Sequence, residues 1–262
     1  MATTNSEALP TPPPAAPGRV LLIGASRGLG LALAEEWLRR GWDVVATVRT
    51  QGRTPLHELA DAHDAAATAG PAAESTESTE STGSIEIETV DITVPEQIEG
   101  LRRRLAARTF DLLFVNAGVT NEPEGTVAET STDEFVRVMV TNALSPLRVV
   151  ETLQDLVTPD GTIGVMSSGQ GSVANNESGG HEVYRGSKAA LNTFMRSYAA
   201  RHGDDPRTLV LMAPGWVRTD LGGPAARLSI EESIPNVVKT LDSLRGKSGL
   251  HYVDYLGRTV AW

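Results

Sequence analysis

The stretch "RVLLIGASRGLGLALAEEWLRRGWDVVATVRT", residues 19–50, decides the fold. "RVLLIG" (19–24) is a short apolar run that reads as a buried strand, and "DVVATV" (43–48) is a second, β-branched one. Between them, "GLGLALAEEWLRRG" (28–41) pairs Leu33 with Trp37 and Ala34 with Leu38 at i,i+4, and Gly41 supplies a stop. A β-α-β unit is therefore complete within about thirty residues, the usual length of such a unit. At its first turn, Gly24, Gly28 and Gly30 let the chain bend tightly and bring backbone N–H groups close to a phosphate at a helix N-terminus. The spacing is G-x3-G-x-G, so the turn alone is a weak sign. Its place between a strand and a helix turns it into an expectation of dinucleotide binding rather than of a merely structural bend.

The end of the second strand indicates which dinucleotide. A site for an unphosphorylated ribose places an acid there, about 20 residues past the glycines. This chain has neutral Val48 and basic Arg49 in that place, with Arg27 inside the glycine turn. Two guanidiniums suit a ribose 2′-phosphate through charge-assisted hydrogen bonds, so NADP(H) is the expected cofactor.

Outward from this unit the alternation continues. "SIEIETVDIT" (84–93), "FDLLFVNAG" (110–118), "GTIGVMSS" (161–168) and "TLVLMAPG" (208–215) read as further buried strands. Helices are expected from Pro95 through Arg104, near 132–157 and near 182–202. Strands alternating with helices imply an α/β fold with a doubly wound parallel sheet in three layers, helices covering both faces. The expected organisation is a Pro-rich disordered tail over 1–18, with neither signal peptide nor anchor, followed by one domain over 19–262. A polar, low-complexity insertion is expected at 64–83, where "EST" occurs three times in tandem.

Composition narrows the function classes. The formal net charge of −10 includes a net −5 from residues 51–84, which hold six acids and one arginine. No basic block remains to recruit nucleic acid, and no run of eighteen apolar residues points to a membrane. The absence of cysteine removes disulfides, thiolate metal sites and cysteine nucleophiles, and it accords with a cytoplasmic setting. The five histidines lack ligand spacing, so no metal is expected.

"YRGSKAALN" (184–192) carries the chemistry. Tyr184 and Lys188 lie one helical turn apart on a stripe continued by Leu191, Met195 and Tyr198, with Phe194 beside it, a face expected to be buried. An ammonium is rarely buried without compensation. Placed beside a phenol, it would favour the phenolate and turn tyrosine into a competent acid/base. His181, close by in sequence, reads as an ordinary loop histidine.

Seven motifs in order are similar to those of the short-chain dehydrogenase/reductase family over roughly residues 19–262. They are the glycine turn, "VDIT" with Asp91, "VNAG" with Asn116 to Gly118, "TNALSP" with Asn142, "MSSGQG" with Ser168, "YRGSK", and "APGWVRTDLGG" with Pro214, Gly215 and Thr219. The long loop between Ser168 and Tyr184 and the ending "DYLGRTVAW" resemble the C-factor-like branch, which includes small carbonyl reductases. The departures are Val115 for the first Asn of NNAG, Ile23 where a Thr often stands, and Gly186 where an Ala is common in the active-site helix.

The resemblance implies a Rossmann-type fold and an NADP(H)-dependent oxidoreductase acting on a small carbonyl or alcohol. It implies catalytic roles for Asn142, Ser168, Tyr184 and Lys188, with Ser167 as the competing serine. Cofactor contacts would come from Gly24, Ser26, Arg27, Gly28, Leu29, Gly30, Arg49, Asp91, Ile92, Asn116, Ala117, Gly118, Tyr184, Lys188, Pro214, Gly215, Val217 and Thr219. Substrate would meet Ser168, Gln170, Tyr184 and Trp216, walled by the 169–183 loop and the 220–233 segment. A homodimer or homotetramer through the helices near 132–157 and 182–202 is expected from the family. The alternative is a nucleotide-sensing or signalling protein on the same fold, for which an intact Ser168, Tyr184 and Lys188 set has no chemical use. A sugar epimerase is disfavoured, because the chain has no room for a separate substrate domain.

Overall fold

The computed structural model describes residues 17–69, 83–121 and 125–262. Seven parallel strands form one sheet: β1 (Arg19–Ile23), β2 (Asp43–Val48), β3 (Ile85–Thr89), β4 (Phe110–Val115), β5 (Val157–Met166), β6 (Thr208–Ala213) and β7 (Gly249–Asp254). Their order is β3-β2-β1-β4-β5-β6-β7. The order reverses between β1 and β4, and ligands of doubly wound sheets bind beyond the carboxyl ends of the strands at that point.

Alternation along each strand feeds two cores. Leu21, Ile23, Leu113 and Val115 face one layer with α3 (Pro95–Arg104), α5 (Ser145–Leu153) and α6 (Glu182–Arg201). Val20, Leu22, Leu112 and Phe114 face the other with α1 (Gly28–Arg39), α2 (Pro55–Ala69) and α7 (Ile230–Leu244). Both faces are dry, which explains why the strands read as unbroken apolar runs. Trp37, on α1, is fully buried and meets Phe114 edge-on at 6.0 Å.

The outer edge of β3 carries Glu86 and Glu88, paired with Arg108 at 2.6 Å and Arg104 at 2.8 Å. Beyond β7 the chain turns back on itself, with an antiparallel bridge between Val253 and Thr259.

Two expectations are corrected. The low-complexity insertion does not begin at 64, because α2 continues through Ala69; the EST triplets themselves lie outside the described residues. The tail ends before 18, since the Gly18 carbonyl already accepts from Asp43 N at 3.0 Å; residues 1–16 lie outside the described residues. Within the 220–233 segment, Ser229 and Glu232 form a reciprocal capping box that starts α7 at Ile230.

Two glycines in helices make opposite demands. A Cβ at Gly30 would lie 2.1 Å from the Gly24 carbonyl oxygen, whereas at Gly186 nothing stands within 4 Å. Gly30→Ala is therefore expected to destabilise the fold by about 1–3 kcal/mol through overpacking. Gly186→Ala is expected to stabilise it by roughly 0.5–1 kcal/mol through helix propensity. Thermal or denaturant unfolding of the two variants checks both signs; a stabilising Gly30→Ala would mean that the turn is not closely packed.

Candidate active site

The crevice is built where β1 and β4 diverge. Gly24 N donates to Thr47 Oγ1 at 2.9 Å and Ala25 N to the Thr47 carbonyl at 2.8 Å, so the turn is tied to β2. Asn116 Nδ2 donates to the Gly24 carbonyl at 2.7 Å, tying it also to the end of β4. Gly24 has φ +88 and Gly28 has φ +56, values that glycine adopts without strain. A Cβ at Gly24 would lie 2.8 Å from the Ala117 Cβ, so the turn passes β4 at backbone distance. These residues form a cradle that any added side chain would fill.

The other motif residues line its walls. Asp91 Oδ1 accepts from Thr93 N at 2.9 Å and Thr93 Oγ1 at 2.7 Å, closing a local turn beside buried Ile92. Ser26 and Leu29 are half-buried within the glycine turn, and Arg49 is exposed at the end of β2. Pro214 and Gly215 follow β6, where the Pro214 carbonyl accepts from Ser233 Oγ at 2.7 Å. Val217, buried, bridges to Leu228.

The segment then arches toward the glycine turn, and Thr219 Cγ2 would sit 3.8 Å from a Cβ on Gly28. Within this arch Gly222 N donates to Thr219 Oγ1 at 3.1 Å and Trp216 Nε1 to the Gly222 carbonyl at 2.7 Å. Trp216 is otherwise exposed. The Arg27 guanidinium meets the Asp220 carboxylate at 3.1 Å across the crevice, both side chains largely exposed.

On the far wall, β5 delivers Ser167 and Ser168, and α6 delivers Tyr184 and Lys188. The two serines diverge. Ser167 Oγ donates to Asn192 Oδ1 at 2.6 Å, deep in the structure. Ser168 hydrogen-bonds Tyr184 and accepts from Gln170 N at 3.1 Å. The Gln170 Oε1 atom is buried without a hydrogen-bond partner.

Lys188 is 3% exposed, its Nζ donating to the Met166 carbonyl at 2.9 Å and lying 5.8 Å from the Tyr184 ring centroid. A Cβ at Gly118 would stand 3.4 Å from Asn142 Oδ1 and 3.6 Å from Lys188 Nζ, so the end of β4 comes close to both. Asn142 is fully buried in a π-helical turn (Val140–Leu144) between α4 (Thr132–Met139) and α5. Its amide exchanges two 2.8 Å hydrogen bonds with the Val119 backbone and donates to Ser187 Oγ at 2.9 Å.

The electrostatics differ from the expectation of a phenol held low by its lysine. Burial pushes Tyr184 up to about 12, against the downward pull of the Ser168 hydrogen bond. Burial likewise brings Lys188 down to about 8. Desolvation penalises the charged form of each, so at neutral pH the phenol keeps its proton and the amine is still an ammonium. Phe194 also departs from expectation: it lies on the exposed side of α6 at 42%, while Leu191, Met195 and Tyr198 are buried as the stripe requires. His181 sits at the start of α6 with φ +51, its carbonyl accepting from Arg185 N at 2.8 Å.

Three supporting residues escaped the sequence reading. Asn192 continues the Tyr184–Lys188 spacing by another four residues and was findable on that ground. Thr47 was marked only by being a lone hydroxyl in a β-branched strand. Tyr252, whose hydroxyl donates to the Ser168 carbonyl at 2.6 Å, had no local signal.

A parallel sheet with a glycine turn at its switch point places the chain among Rossmann-type dinucleotide-binding folds. Within that class it belongs to the short-chain dehydrogenase family, whose model matches residues 19–227. A Burkholderia multivorans chain described as a short-chain dehydrogenase/reductase, solved with bound NADP, is 60% identical. The match covers 95% of this chain and all of that one, with TM-score 0.85. A carbonyl reductase from Pseudomonas aeruginosa in complex with NADP is 34% identical, over 94% of this chain and all of its own, with TM-score 0.79. The C-signal protein of Myxococcus xanthus is 34% identical over 154 residues, 58% of this chain and 92% of that protein. The resemblance to the C-factor-like branch and its carbonyl reductases is thereby borne out.

The buried amine yields a stability prediction. The unfolded chain keeps the Lys188 proton up to the ordinary value of 10.5, whereas the folded chain releases it at about 8. Between these values the unfolded state binds more protons, so the parent gains stability as pH rises. The stability of Lys188→Met relative to the parent should therefore fall between pH 8 and pH 10.5. Denaturant unfolding at both ends of that window checks the sign, and a flat difference would mean that the amine titrates as an exposed one.

Proposed function

We propose that this chain is an NADP(H)-dependent oxidoreductase that interconverts a small carbonyl compound and its alcohol. The observation that carries the reading is the meeting of Ser168, Tyr184 and buried Lys188 opposite a glycine cradle at the sheet's switch point. Its NADP-bound relatives support the cofactor, and the Pseudomonas carbonyl reductase supports the reaction class. When bound, the nicotinamide supplies or accepts the hydride.

The backbone at Gly24, Ser26, Gly28, Leu29 and Gly30 would face the pyrophosphate, and Arg27 and Arg49 the ribose 2′-phosphate. Asp91, Ile92, Asn116, Ala117 and Gly118 would form the adenosine and ribose walls. Pro214, Gly215, Val217 and Thr219 would close over the nicotinamide end. Ser168 Oγ donates to the carbonyl oxygen, stabilising charge as it develops there. Tyr184, neutral at pH 7, gives that oxygen its proton. The Lys188 ammonium beside it favours the resulting phenolate and holds the nicotinamide ribose.

Asn142 holds the Val119 backbone close to Lys188 and positions the path by which solvent protons return. Gln170 and Trp216 face the substrate. Exposed Phe135 and Val136 on α4 and Phe194 on α6 offer the apolar surface for a homo-oligomer. A signalling role without turnover, raised by the likeness to C-signal, leaves the retained Ser168, Tyr184 and Lys188 set without a purpose.

NADPH consumption across a panel of carbonyl compounds tests the reading. Tyr184→Phe should lower turnover about 10²–10⁴-fold while the NADPH dissociation constant stays nearly unchanged. A variant keeping most of its rate would remove tyrosine from the acid/base role. NADPH should bind more tightly than NADH, and Arg27→Ala or Arg49→Ala should narrow that gap about tenfold or more. Because Asp220 holds Arg27 in an exposed ion pair, Asp220→Asn should tighten NADPH binding up to about fivefold and leave NADH unmoved. Equal effects on both dinucleotides would place Asp220 elsewhere in the cofactor's energetics.

A further inference from the structure

The chain beyond α7 takes no part in the reading above, yet its last strand reaches the catalytic wall. The carbonyl of Ser168 accepts two hydrogen bonds: one from Gly171 N at 2.9 Å within the short helical turn 169–171, and one from Tyr252 Oη at 2.6 Å. Tyr252 lies in β7 and is 2% exposed, and its hydroxyl, which gives its proton to this carbonyl, also meets the side chains of Asn192 and Ser167. A buried phenol needs such a partner.

Past β7 the chain reverses at Gly257, φ +78, and Val260 N returns to the Tyr252 carbonyl at 2.9 Å. This reversal lays Trp262 against Tyr252, ring centroids 5.3 Å apart. The Arg196 guanidinium lies 4.7 Å over the same indole. The Trp262 carbonyl in turn accepts from Ala174 N at 2.9 Å, inside the loop that joins Ser168 to Tyr184.

We infer that Tyr252 and Trp262 form a clamp that positions Ser168 and the first half of the 169–183 loop against the substrate carbonyl. The inference rests on the role proposed for Ser168. From α6, Lys188 and Asn192 hold the Met166 and Gly171 carbonyls at 2.9 and 3.1 Å. From β7, Tyr252 supplies the hold on Ser168 itself. Tyr252 is thus a positioning residue: it acts through the serine, whose hydroxyl must meet the oxygen within a fraction of an ångström to stabilise its charge.

The experiment is a double-mutant cycle on NADPH consumption with the best carbonyl substrate, combining Tyr252→Phe with Ser168→Ala. Tyr252→Phe alone should lower kcat about tenfold per NADPH-binding site, with the NADPH dissociation constant within about twofold. In the Ser168→Ala background it should cost nothing further, because the group it positions is gone. An unchanged kcat, or an equal loss in both backgrounds, overturns the clamp while leaving the proposed function standing. A fully active Ser168→Ala removes the serine's role and the clamp with it.

Amide hydrogen exchange gives a readout that needs no substrate. In Tyr252→Phe the amides of Gly171 and Ala174 should exchange about tenfold faster while those of α1 keep their rates. Trp262→Ala should do the same at Ala174, and Trp262→Phe should restore it; unchanged exchange in these variants overturns the inference.

Discussion

Gly24 and Ala117 meet where the strand order reverses, so close that a methyl group on Gly24 would lie 2.8 Å from the alanine side chain. That approach fixes much else. It lets Asn116 reach the Gly24 carbonyl, which locks the end of β4 to the start of α1. With β4 so placed, Gly118 comes beside Asn142 and Lys188, and one crevice holds both the glycine turn and the buried amine of Lys188. A side chain at Gly24 or Gly30 would force these two halves apart. The packing constraint therefore lies upstream of the chemistry.

The second organising force is desolvation. Attraction between an ammonium and a phenolate is large only where water is excluded, and excluding water first penalises both charges. In the protein alone the penalty dominates: the phenol of Tyr184 is driven up and the amine of Lys188 down. The Met166 carbonyl and the Ser168 hydroxyl are what the protein sets against it. At neutral pH the tyrosine therefore keeps its proton, and burial makes it a weaker acid than a free phenol.

Much of this was legible in the chain. Dry strands announce themselves as apolar runs because both faces are covered, and β1, β2, β4 and β6 sit where such runs fall. The glycine turn, Asn116 and Ser168 gather in one crevice because they follow strand ends, Tyr184 and Lys188 because they share one face of α6, and Asn142 joins them from the π-helical turn. What escaped notice depends on distant partners or on weaker local chemistry. α2 and β7 carry few strong apolar signals, and α7 begins inside the 220–233 segment at a capping box, Ser229 with Glu232, that is polar throughout. Phe194 lies at the margin of its stripe, where a few degrees of helix rotation decide between core and surface. Tyr252 is recognisable only once β7 is known to lie beside β6, eighty-four residues away from the serine it touches.

The two rims of the sheet have a bearing on how copies of the chain can meet. Along β3 the outer rim is guarded by Glu86 and Glu88 with their arginines, and along β7 the chain's own return occupies part of the other rim. Unguarded rims invite strand-to-strand growth between molecules, which is sequence-tolerant and prone to run on into aggregates. With those routes obstructed among the described residues, any self-association rests on side chains rather than on strand pairing. Contacts of that kind are finite, specific in geometry and adjustable one residue at a time, so the quaternary state of this enzyme family member can evolve without disturbing its sheet.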